Sequence, residues 1–446
     1  IRNGATVSTD LASGGRRDLA TSIFYGYTPG TSENFSWSME GYINDFGIAR
    51  MARILAEKEG NSKKKQEYET EYQYYINRAK NYMKLFNGEG DTELDDWFRG
   101  KDTEGNWTRA NDTNGVFDPF RWGEDYTETN AYNMAASVPQ DGMGLASLYG
   151  GLDKLAGKLD SIFTTTGIYN GYNAVNSVGG IHEQREAREV KLGQYSHNNQ
   201  PSHHLIYMYD FTDQPWKAQK YARDVLDRCY VGSTFGQGYI GDEDNGEMSA
   251  WYILSALGFY PLVMGSDEYA IGSPLFEEVT LNLDTGKLVI RAENNTGKDN
   301  VYIQSMTVGG KDYTKSYITH QDLINAGEIV FNMGTEPNYE FGTGAKNRPS
   351  SITEEGEMPE AYTDLMDRKA YSEKTAEPSP EKVYVDKAVS TVSILGAKKL
   401  YDNNSNTEIT LKDGDEFVYN IRKGKRAEMF TVTCGVKKET APRKVT

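Results

Sequence analysis

The sequence predicts a mainly helical protein in which a small β domain and a strand-rich tail follow the helices. Apolar residues recur at helical spacing through residues 40–56 and again through 65–85. Beyond Pro261 the apolar residues instead alternate with polar ones, as they do in strands. This order defines four predicted segments: a helical domain at 1–262, a β domain at 263–345, a linker or extension at 346–382 and a strand-rich segment at 383–446.

The helical part contains six predicted helices. A polar break from Glu59 to Lys64 separates the first two, so these two are predicted to form a hairpin. Gly, Pro, Asn or Asp residues bound each of the others. The predicted helices cover residues 40–56, 65–85, 127–149, 202–210, 214–230 and 247–258.

The β part is predicted to begin with a hairpin. Apolar residues alternate from Val279 to Leu283, a turn follows at 284–287, and Leu288 and Ile290 resume the alternation. The sequence predicts further strands at 301–308, 327–332 and 339–342. Residues 346–382 are rich in Glu, Pro, Ser and Lys, a composition typical of linkers, and short alternating strands are predicted beyond them.

Charge and cysteine content exclude several classes of function. The 446-residue chain has 48 Lys plus Arg and 65 Asp plus Glu, a formal charge of −17, which opposes binding to nucleic acid or to an anionic membrane. Cys229 and Cys434 are too few and too far apart for a disulfide framework or a thiolate zinc site. No window of the sequence has the apolar length of a membrane span. Neutral or cationic ligands fit this chain best.

One acidic cluster stands immediately before the last predicted helix. Asp242, Glu243 and Asp244 precede it, where exposed amide groups favour ionised carboxylates. One such residue would cap the helix, but three exceed what capping requires. Ionised carboxylates can act as general bases or bind a hard cation. An EF-hand is excluded because Ile253 occupies the position of its bidentate acid.

Four of the five histidines lie within residues 182–204 among acidic and amide residues. His182 and Glu186 have helical i, i+4 spacing, but a zinc protease motif would need His in place of Glu186. His203 and His204 are adjacent and point to different faces, so one of them is predicted to be a packing residue. Elsewhere, Glu128 lies among aromatic residues, where a carboxyl can serve as a general acid; its spacing alone favours a helix-start acid.

An ordered set of motifs resembles glycoside hydrolase family 92, whose members are calcium-dependent inverting exo-α-mannosidases. The likeness covers residues 1–345 and implies that the helical domain is an (α/α)6-type barrel, incomplete at its N-terminus. The motifs are Tyr126-Thr127-Glu128, the segment 138–142, the segment 195–204 (Tyr-Ser-His-Asn-Asn-Gln-Pro-Ser-His-His), Gln214-Pro215-Trp216-Lys217 and the segment 241–261.

The resemblance assigns roles to five residues of a catalytic centre. Glu128 matches the family's general acid, and Asp242 and Asp244 match the acids that activate water, with either one left open as the base. Glu186, with Asn133 or nearby carbonyls, lies where the family assembles its Ca²⁺ site. In the family this ion binds two mannose hydroxyls and helps to distort the ring.

The resemblance also implies how the sugar is held. His182 and Glu183 resemble the pair that binds the leaving sugar in members specific for α-1,2 linkages. Asn199 and His203 are implied sugar contacts. The expected substrates are therefore terminal α-mannosyl residues of N-glycans or mannans, with α-1,2 linkages preferred, and the expected location is extracellular, cell-surface or periplasmic.

The sequence also departs from the family. Family members carry an N-terminal β-sandwich and, at the start of the helical domain, a Trp-Asp-Thr segment. Neither feature is found in this sequence. We therefore expect a fragment, or a partner chain that holds the missing portion, and we expect residues 1–446 alone to lack hydrolytic activity. The alternative function is a non-catalytic carbohydrate-binding protein on the same scaffold. A polysaccharide lyase is disfavoured by the negative charge and the lack of an arginine-rich cleft motif.

Overall fold

The computed structural model describes residues 22, 25–30, 33–88, 96–166, 182–232 and 238–361, together with two short strands nearer the C-terminus. The chain divides into two compact units, Ile1–Glu373 and Lys374–Thr446. In the second unit, Val389–Ser390 pairs antiparallel with Tyr419–Asn420.

A helical hairpin opens the described part of the chain. Helix α1 (Asn34–Lys58) buries Phe35, Met39, Tyr42 and other residues at helical spacing, and α2 (Ser62–Arg78) packs against it. Arg78 pairs with the buried Asp45 at 3.1 Å and so joins the two helices. The predicted hairpin is confirmed, although α1 begins earlier than predicted and a 3₁₀ turn at Asn81–Leu85 replaces the end of the second predicted helix.

The remaining helices of the helical part follow two small strand pairs. The pairs are β1 (Phe86–Asn87) with β2 (Trp97–Phe98), and β3 (Asp112–Thr113) with β4 (Val116–Phe117). The helices are α3 (Ala131–Met134), α4 (Gly142–Tyr149), α5 (Leu152–Thr164), α6 (His182–Val190), α7 (Trp216–Cys229) and α8 (Glu247–Leu257). Among the described residues, no helix combines the length and the apolar character that crossing a bilayer requires.

Two predicted helices differ from the structure. The single helix predicted at 127–149 is broken into α3 and α4, because Pro139 starts a 3₁₀ turn between them and Asn130 caps α3. The helix predicted at 202–210 consists of 3₁₀ turns at Gln200–Ser202 and Leu205–Phe211. Every side chain of the second turn is buried, so the sequence there has no polar face to reveal the helix type.

A five-stranded sheet and a three-stranded sheet follow α8. The strands are β5 (Phe259–Tyr260), β6 (Glu268–Ile271), β7 (Glu278–Leu283), β8 (Gly286–Glu293), β9 (Tyr302–Val308), β10 (Lys311–Asp312), β11 (Tyr317–Thr319) and β12 (Glu328–Gly334), with helix α9 (His320–Asn325) before β12. The larger sheet has the order β10-β9-β12-β8-β7, in which only the β12–β8 pair is parallel, and the smaller has the order β11-β6-β5.

Alternation sets which face of the larger sheet is buried. In β8 the side chains of Leu288, Ile290 and Ala292 point into a compact apolar core while their neighbours are more exposed. The predicted β7–β8 hairpin is confirmed, with Leu283 opposite Gly286 across the turn. The strand predicted at 339–342 is wrong, because these residues form bends and a turn.

Residues 346–361 pack against the helical part. The buried Asp141 at the start of α4 accepts hydrogen bonds from the hydroxyl of Ser351 (2.8 Å) and from both the amide and the hydroxyl of Thr353 (2.8 and 2.7 Å). Arg348, whose side chain is 4% exposed, pairs with Asp213 at 2.7 Å. The first part of the segment predicted as a linker is thus fastened to the helical core.

Candidate active site

Three side chains at the start of α6 form a compact polar group. His182 Nδ1 lies 3.2 Å from Glu186 Oε1, and His182 Nε2 lies 3.1 Å from Glu183 Oε1. Burial by itself lowers the pKa of His182, but the hydrogen bond to Glu186 and the charges of Glu183, Glu186 and Asp242 outweigh it and raise the pKa. Asp242, more than fifty residues away in sequence, therefore lies within electrostatic reach of α6.

Asn198 joins α6 to the polar segment 195–204, which follows it in the chain. Its Nδ2 donates to Glu186 Oε2 (3.0 Å) and to the carbonyl oxygen of Glu183 (2.9 Å). Two oxygen atoms beside these contacts, Glu183 Oε2 and Asn198 Oδ1, are buried and have no hydrogen-bond partner among the described residues. Buried oxygen atoms without donors are the ligands that a hard cation prefers.

No group of three or more His, Cys, Asp or Glu side chains within the described ranges has metal-binding geometry. Calcium sites in proteins commonly combine carboxylate with amide or carbonyl oxygen atoms.

Glu128 lies at the tip of a short loop between β4 and α3. A hydrogen bond from Gly123 N to Thr129 O (2.9 Å) closes the loop. Glu128 has φ = 49°, in the left-handed region that a residue with a side chain occupies at a cost. Its exposed side chain is held by Asn199, whose Nδ2 donates to Glu128 O at 2.8 Å and to Glu128 Oε2 at 3.4 Å.

The acidic loop, residues 241–244, lies very close to segment 195–204. A Cβ atom added to Gly241, which has φ = +72°, would lie 2.4 Å from the carbonyl oxygen of Asn198. Only glycine permits both this approach and this backbone conformation. The exposed carboxylate of Asp242 follows directly.

A left-handed turn then leads into α8. Asp244, Asn245 and Gly246 have φ values of 47°, 63° and 96°. Gln200 donates from Nε2 to the Asp244 carboxylate. Glu243 accepts a hydrogen bond at 3.1 Å from Ser249 N, an amide of the first turn of α8.

His203 links the segment to the first turn of α8. Its Nε2 lies 2.9 Å from the carbonyl oxygen of His197, which can only accept, so Nε2 carries a proton. Its Nδ1 lies 3.1 Å from Glu247 Oε1, and this contact requires one further proton on either group. Because His203 is 1% exposed, its ring holds Glu247 rather than reaching a ligand in solvent.

The two other histidines of this segment are packing residues. Burial lowers the pKa of His204 to about 4, and His204 Nε2 donates to Ala136 O at 3.0 Å. Burial and the neighbouring His203 lower the pKa of His197, whose ring lies between the hydroxyls of Tyr195 (2.8 Å) and Tyr230 (2.9 Å). The prediction that one of His203 and His204 is a packing residue therefore holds for His204.

Asn133 lies in the core behind the segment. Its Oδ1 accepts from Ser196 N (3.3 Å) and from Ser202 Oγ (2.8 Å), and its Nδ2 donates to Gln194 O (3.0 Å). Both lone pairs of Oδ1 are therefore in use, and the residue is fully buried. Asn133 thus braces the polar segment and has no free oxygen for a metal.

The sequence model of the family described as "Glycosyl hydrolase family 92 catalytic domain" matches residues 1–335. The chain belongs to glycosyl hydrolase family 92. The resemblance found in the motifs is confirmed by this match, and it makes the protein a member of a glycosidase family.

Solved family 92 structures have a similar fold. The family GH92 inverting mannosidase BT2199 from Bacteroides thetaiotaomicron is 36% identical, with a TM-score of 0.63 over 78% of this chain and 44% of that one. The family GH92 α-mannosidase BT3965 from the same organism, in complex with mannoimidazole, is 28% identical, with a TM-score of 0.68 over 81% of this chain and 44% of that one. These likenesses confirm the combination of helices with small sheets.

One further relative is also named as a glycosidase. An "Uncharacterized secreted glycosidase" from Arthroderma benhamiae is 24% identical over 388 residues, which are 79% of this chain and 43% of that protein. The chain thus spans less than half the length of each of these three relatives.

The structure links the predicted site residues in local groups, with Asn199 on Glu128 and His203 on Glu247, while Asn133 lies in the core. His182, Glu183 and Glu186 share α6, and Asp242 acts on His182. The site residues that sequence reasoning left without a role are Asn198, Gln200 and Glu247. The first two were visible as part of an unusually amide-rich run, but their carboxylate partners are distant in sequence.

Proposed function

We propose that this chain contributes the catalytic site of a calcium-dependent, inverting exo-α-mannosidase, secreted or exposed at a cell surface, that removes terminal α-mannosyl residues from N-glycans or mannans. The observation that carries the proposal is the link between Glu128 and Asp244 through consecutive residues, Asn199 and Gln200. We further propose that the helices form part of an (α/α)6-type barrel.

Inversion requires two carboxyl groups on opposite sides of the anomeric carbon, about 6.5 to 9.5 Å apart, so that one water molecule fits between. In the proposed reaction Glu128 protonates the departing oxygen, and Asp242 or Asp244 accepts a proton from the attacking water. The exposed side chains of Glu128, Asp242 and Asp244 are accessible to both substrate and water. Glu128 and Asp244 have left-handed backbone conformations, and their carbonyl oxygens accept hydrogen bonds from Asn199 Nδ2 and Glu247 N, so these two residues are held in place before the sugar binds.

Calcium fits one part of this site. Glu186, together with the unpartnered Oδ1 of Asn198 and Oε2 of Glu183, offers the oxygen donors that calcium prefers, whereas Asn133 does not fit because its oxygen is already engaged. A bound calcium ion would supply positive charge for two adjacent sugar hydroxyls.

The leaving sugar is assigned to the α6 pair. The His182 side chain is 57% exposed and both of its ring nitrogens lie against carboxylates, so the ring fixes Glu183 and Glu186, whose oxygen atoms can accept a hydrogen bond from a sugar hydroxyl. The resemblance of His182 and Glu183 to the pair in α-1,2-specific members supports the proposed preference for α-1,2 linkages. Asn199 and His203 are then proposed to act on the sugar through the carboxylates that they hold, Glu128 and Glu247.

The decisive experiment supplies the full-length protein with a panel of α-mannobiosides, with and without EDTA, and follows the released mannose by NMR. We expect β-mannose to appear first, α-1,2 substrates to react fastest and EDTA to abolish turnover. Glu128→Gln should abolish turnover but retain sugar binding, whereas Glu293→Gln, an exposed residue of β8, should behave as wild type. Binding without any turnover by wild type would instead establish the non-catalytic alternative, and α-mannose as the first product would exclude inversion.

A further inference from the structure

Three consecutive amide side chains each hold a different carboxylate of the site. Asn198 donates to Glu186, Asn199 donates to Glu128, and Gln200 donates to Asp244. We call residues 198–200 the amide strip. Its three partners come from α6, from the loop before α3 and from the turn before α8, so the strip is the element that these three parts of the site share.

The amide strip is itself held rigidly. Asn199 Oδ1 accepts from Gln200 N (3.2 Å), and a 3₁₀ turn begins at Gln200. Asn133 Oδ1 accepts from Ser196 on one side of the strip and from Ser202 on the other. Because a single buried side chain ties both flanks, the strip is fixed to the core and not to a mobile loop.

The two aspartates of the acidic loop, Asp242 and Asp244, have different surroundings. Asp244 adopts a left-handed backbone conformation and its carboxylate accepts from Gln200. Asp242 is instead one of the charges acting on His182. A single donor to one carboxylate oxygen leaves the other free to accept a proton and fixes the direction in which it points.

We propose that the amide strip sets the separation between proton donor and proton acceptor, and that Gln200 is the positioning residue that makes Asp244 the base. This inference rests on the proposed function. The oxygen of water bonds to C1 as its proton passes to Asp244, while the C1–O glycosidic bond breaks and the leaving oxygen takes the proton of Glu128. Glu183 and Glu186 hold His182, which is assigned to the leaving sugar.

Two substitutions at Gln200 test this role. Gln200→Met keeps the length of the side chain and removes the donor, and Gln200→Glu also places a second negative charge beside Asp244. We expect kcat to fall roughly 10- to 100-fold with KM changed less than about threefold, because positioning and not sugar binding is lost. The acidic limb of the pH–kcat profile should move to higher pH, by about one unit or more in Gln200→Glu and by less in Gln200→Met.

Matched controls are available on α9, where Gln321 is exposed and away from the site. Gln321→Met and Gln321→Glu should leave kcat, KM and the pH profile unchanged. A folding defect at position 200 would lower the amount of active protein, but it would not move the acidic limb.

A second readout does not need turnover. The carboxyl ¹³C signal of Asp244, assigned with Asp244→Asn, is followed from pH 3 to pH 8 in wild type and in both Gln200 variants. We expect its titration midpoint to rise in the order wild type, Gln200→Met, Gln200→Glu. If the full-length wild-type protein shows no mannosidase activity, the proposed function fails and this titration still decides whether Gln200 acts on Asp244. Unchanged midpoints and limbs in an active enzyme would overturn the inference alone.

Discussion

Asn199 is joined to Glu128 by one amide group that contacts both the main chain and the side chain. Its Nδ2 lies 2.8 Å from the carbonyl oxygen of Glu128 and 3.4 Å from Oε2. Asn199 is 4% exposed and Glu128 is exposed, so a core residue fixes the position of a group that faces solvent.

Loss of this contact should impair catalysis more than folding. Asn199→Ala removes both hydrogen bonds, and the left-handed loop at Glu128 is then free to relax. We expect kcat/KM for an α-mannobioside to fall roughly 10- to 100-fold. Asn325→Ala removes a comparable local amide contact on α9 and should have no effect on kcat/KM. Equal losses in the two variants would contradict a specific role for Asn199.

The close approach of the acidic loop to Asn198 can be tested by substituting two glycines that have similar backbone conformations. Gly241 has φ = +72° and Gly232 has φ = +67°, but only at Gly241 would a Cβ atom strike another residue. Gly232→Ala should therefore cost only the conformational strain, roughly 1 to 2 kcal/mol of unfolding free energy. Gly241→Ala should cost more and also lower activity, because the loop must move away from Asn198. Urea unfolding compares the two, and identical losses would rule out the close approach.

Asp125 should make stability depend on pH. Burial raises the pKa of Asp125 from 3.8 to about 6, against the lowering effects of Thr108, Arg99 and the amide of Gly100. The folded carboxyl thus binds its proton more tightly than the unfolded one, so its stabilising contribution is fully present below pH 3.8 and is lost as the pH rises to about 6.

Asp125→Asn removes this titration. The unfolding free energy of the variant relative to wild type should rise by about 2 kcal/mol between pH 4 and pH 7. Chemical denaturation at each pH measures the difference. Asp299→Asn, at an exposed position, should show no such trend. A difference that stays constant with pH would show that burial does not perturb Asp125.

Asp141 should be a major contributor to stability. Besides Ser351 and Thr353, it accepts from the hydroxyl of Tyr82 (2.8 Å) and from Gly144 N (3.3 Å). Asp141→Asn turns one acceptor into a donor that faces other donors, and should cost roughly 2 to 4 kcal/mol of unfolding free energy. Thr353→Val should cost about 1 kcal/mol. Thr343→Val, which removes a hydroxyl contact in an exposed turn, should be near neutral.

Sequence reasoning located the parts of the fold that have a polar and an apolar face. Helices α1, α2, α7 and α8 and the β7–β8 hairpin bury one side, so their periodicity is visible. The all-buried turn at Leu205–Phe211 has no such pattern. Helix α5 has an apolar face at helical spacing, with Leu155, Leu159 and Ile162 buried, so its periodicity is visible in the sequence although no helix is predicted there.

The candidate site was less accessible to sequence reasoning because its contacts are tertiary. Motif resemblance named Glu128 and Asp244, but no local pattern reveals that neighbouring amides hold them. For Asn133, the sequence identifies the residue but does not decide its role. An amide near a predicted pocket could bind a cation or brace the backbone, and only its two hydrogen-bond donors, Ser196 and Ser202, show that it does the latter.

The contacts of Asp141 also set the minimum chain length at which this domain keeps its buried hydrogen bonds. The family match ends at residue 335, but three of the five donors to Asp141 come from Ser351 and Thr353. A recombinant protein cut at the end of the match would bury a carboxylate stripped of most of its donors. Gene designs for this family member should therefore retain the chain through at least Thr353.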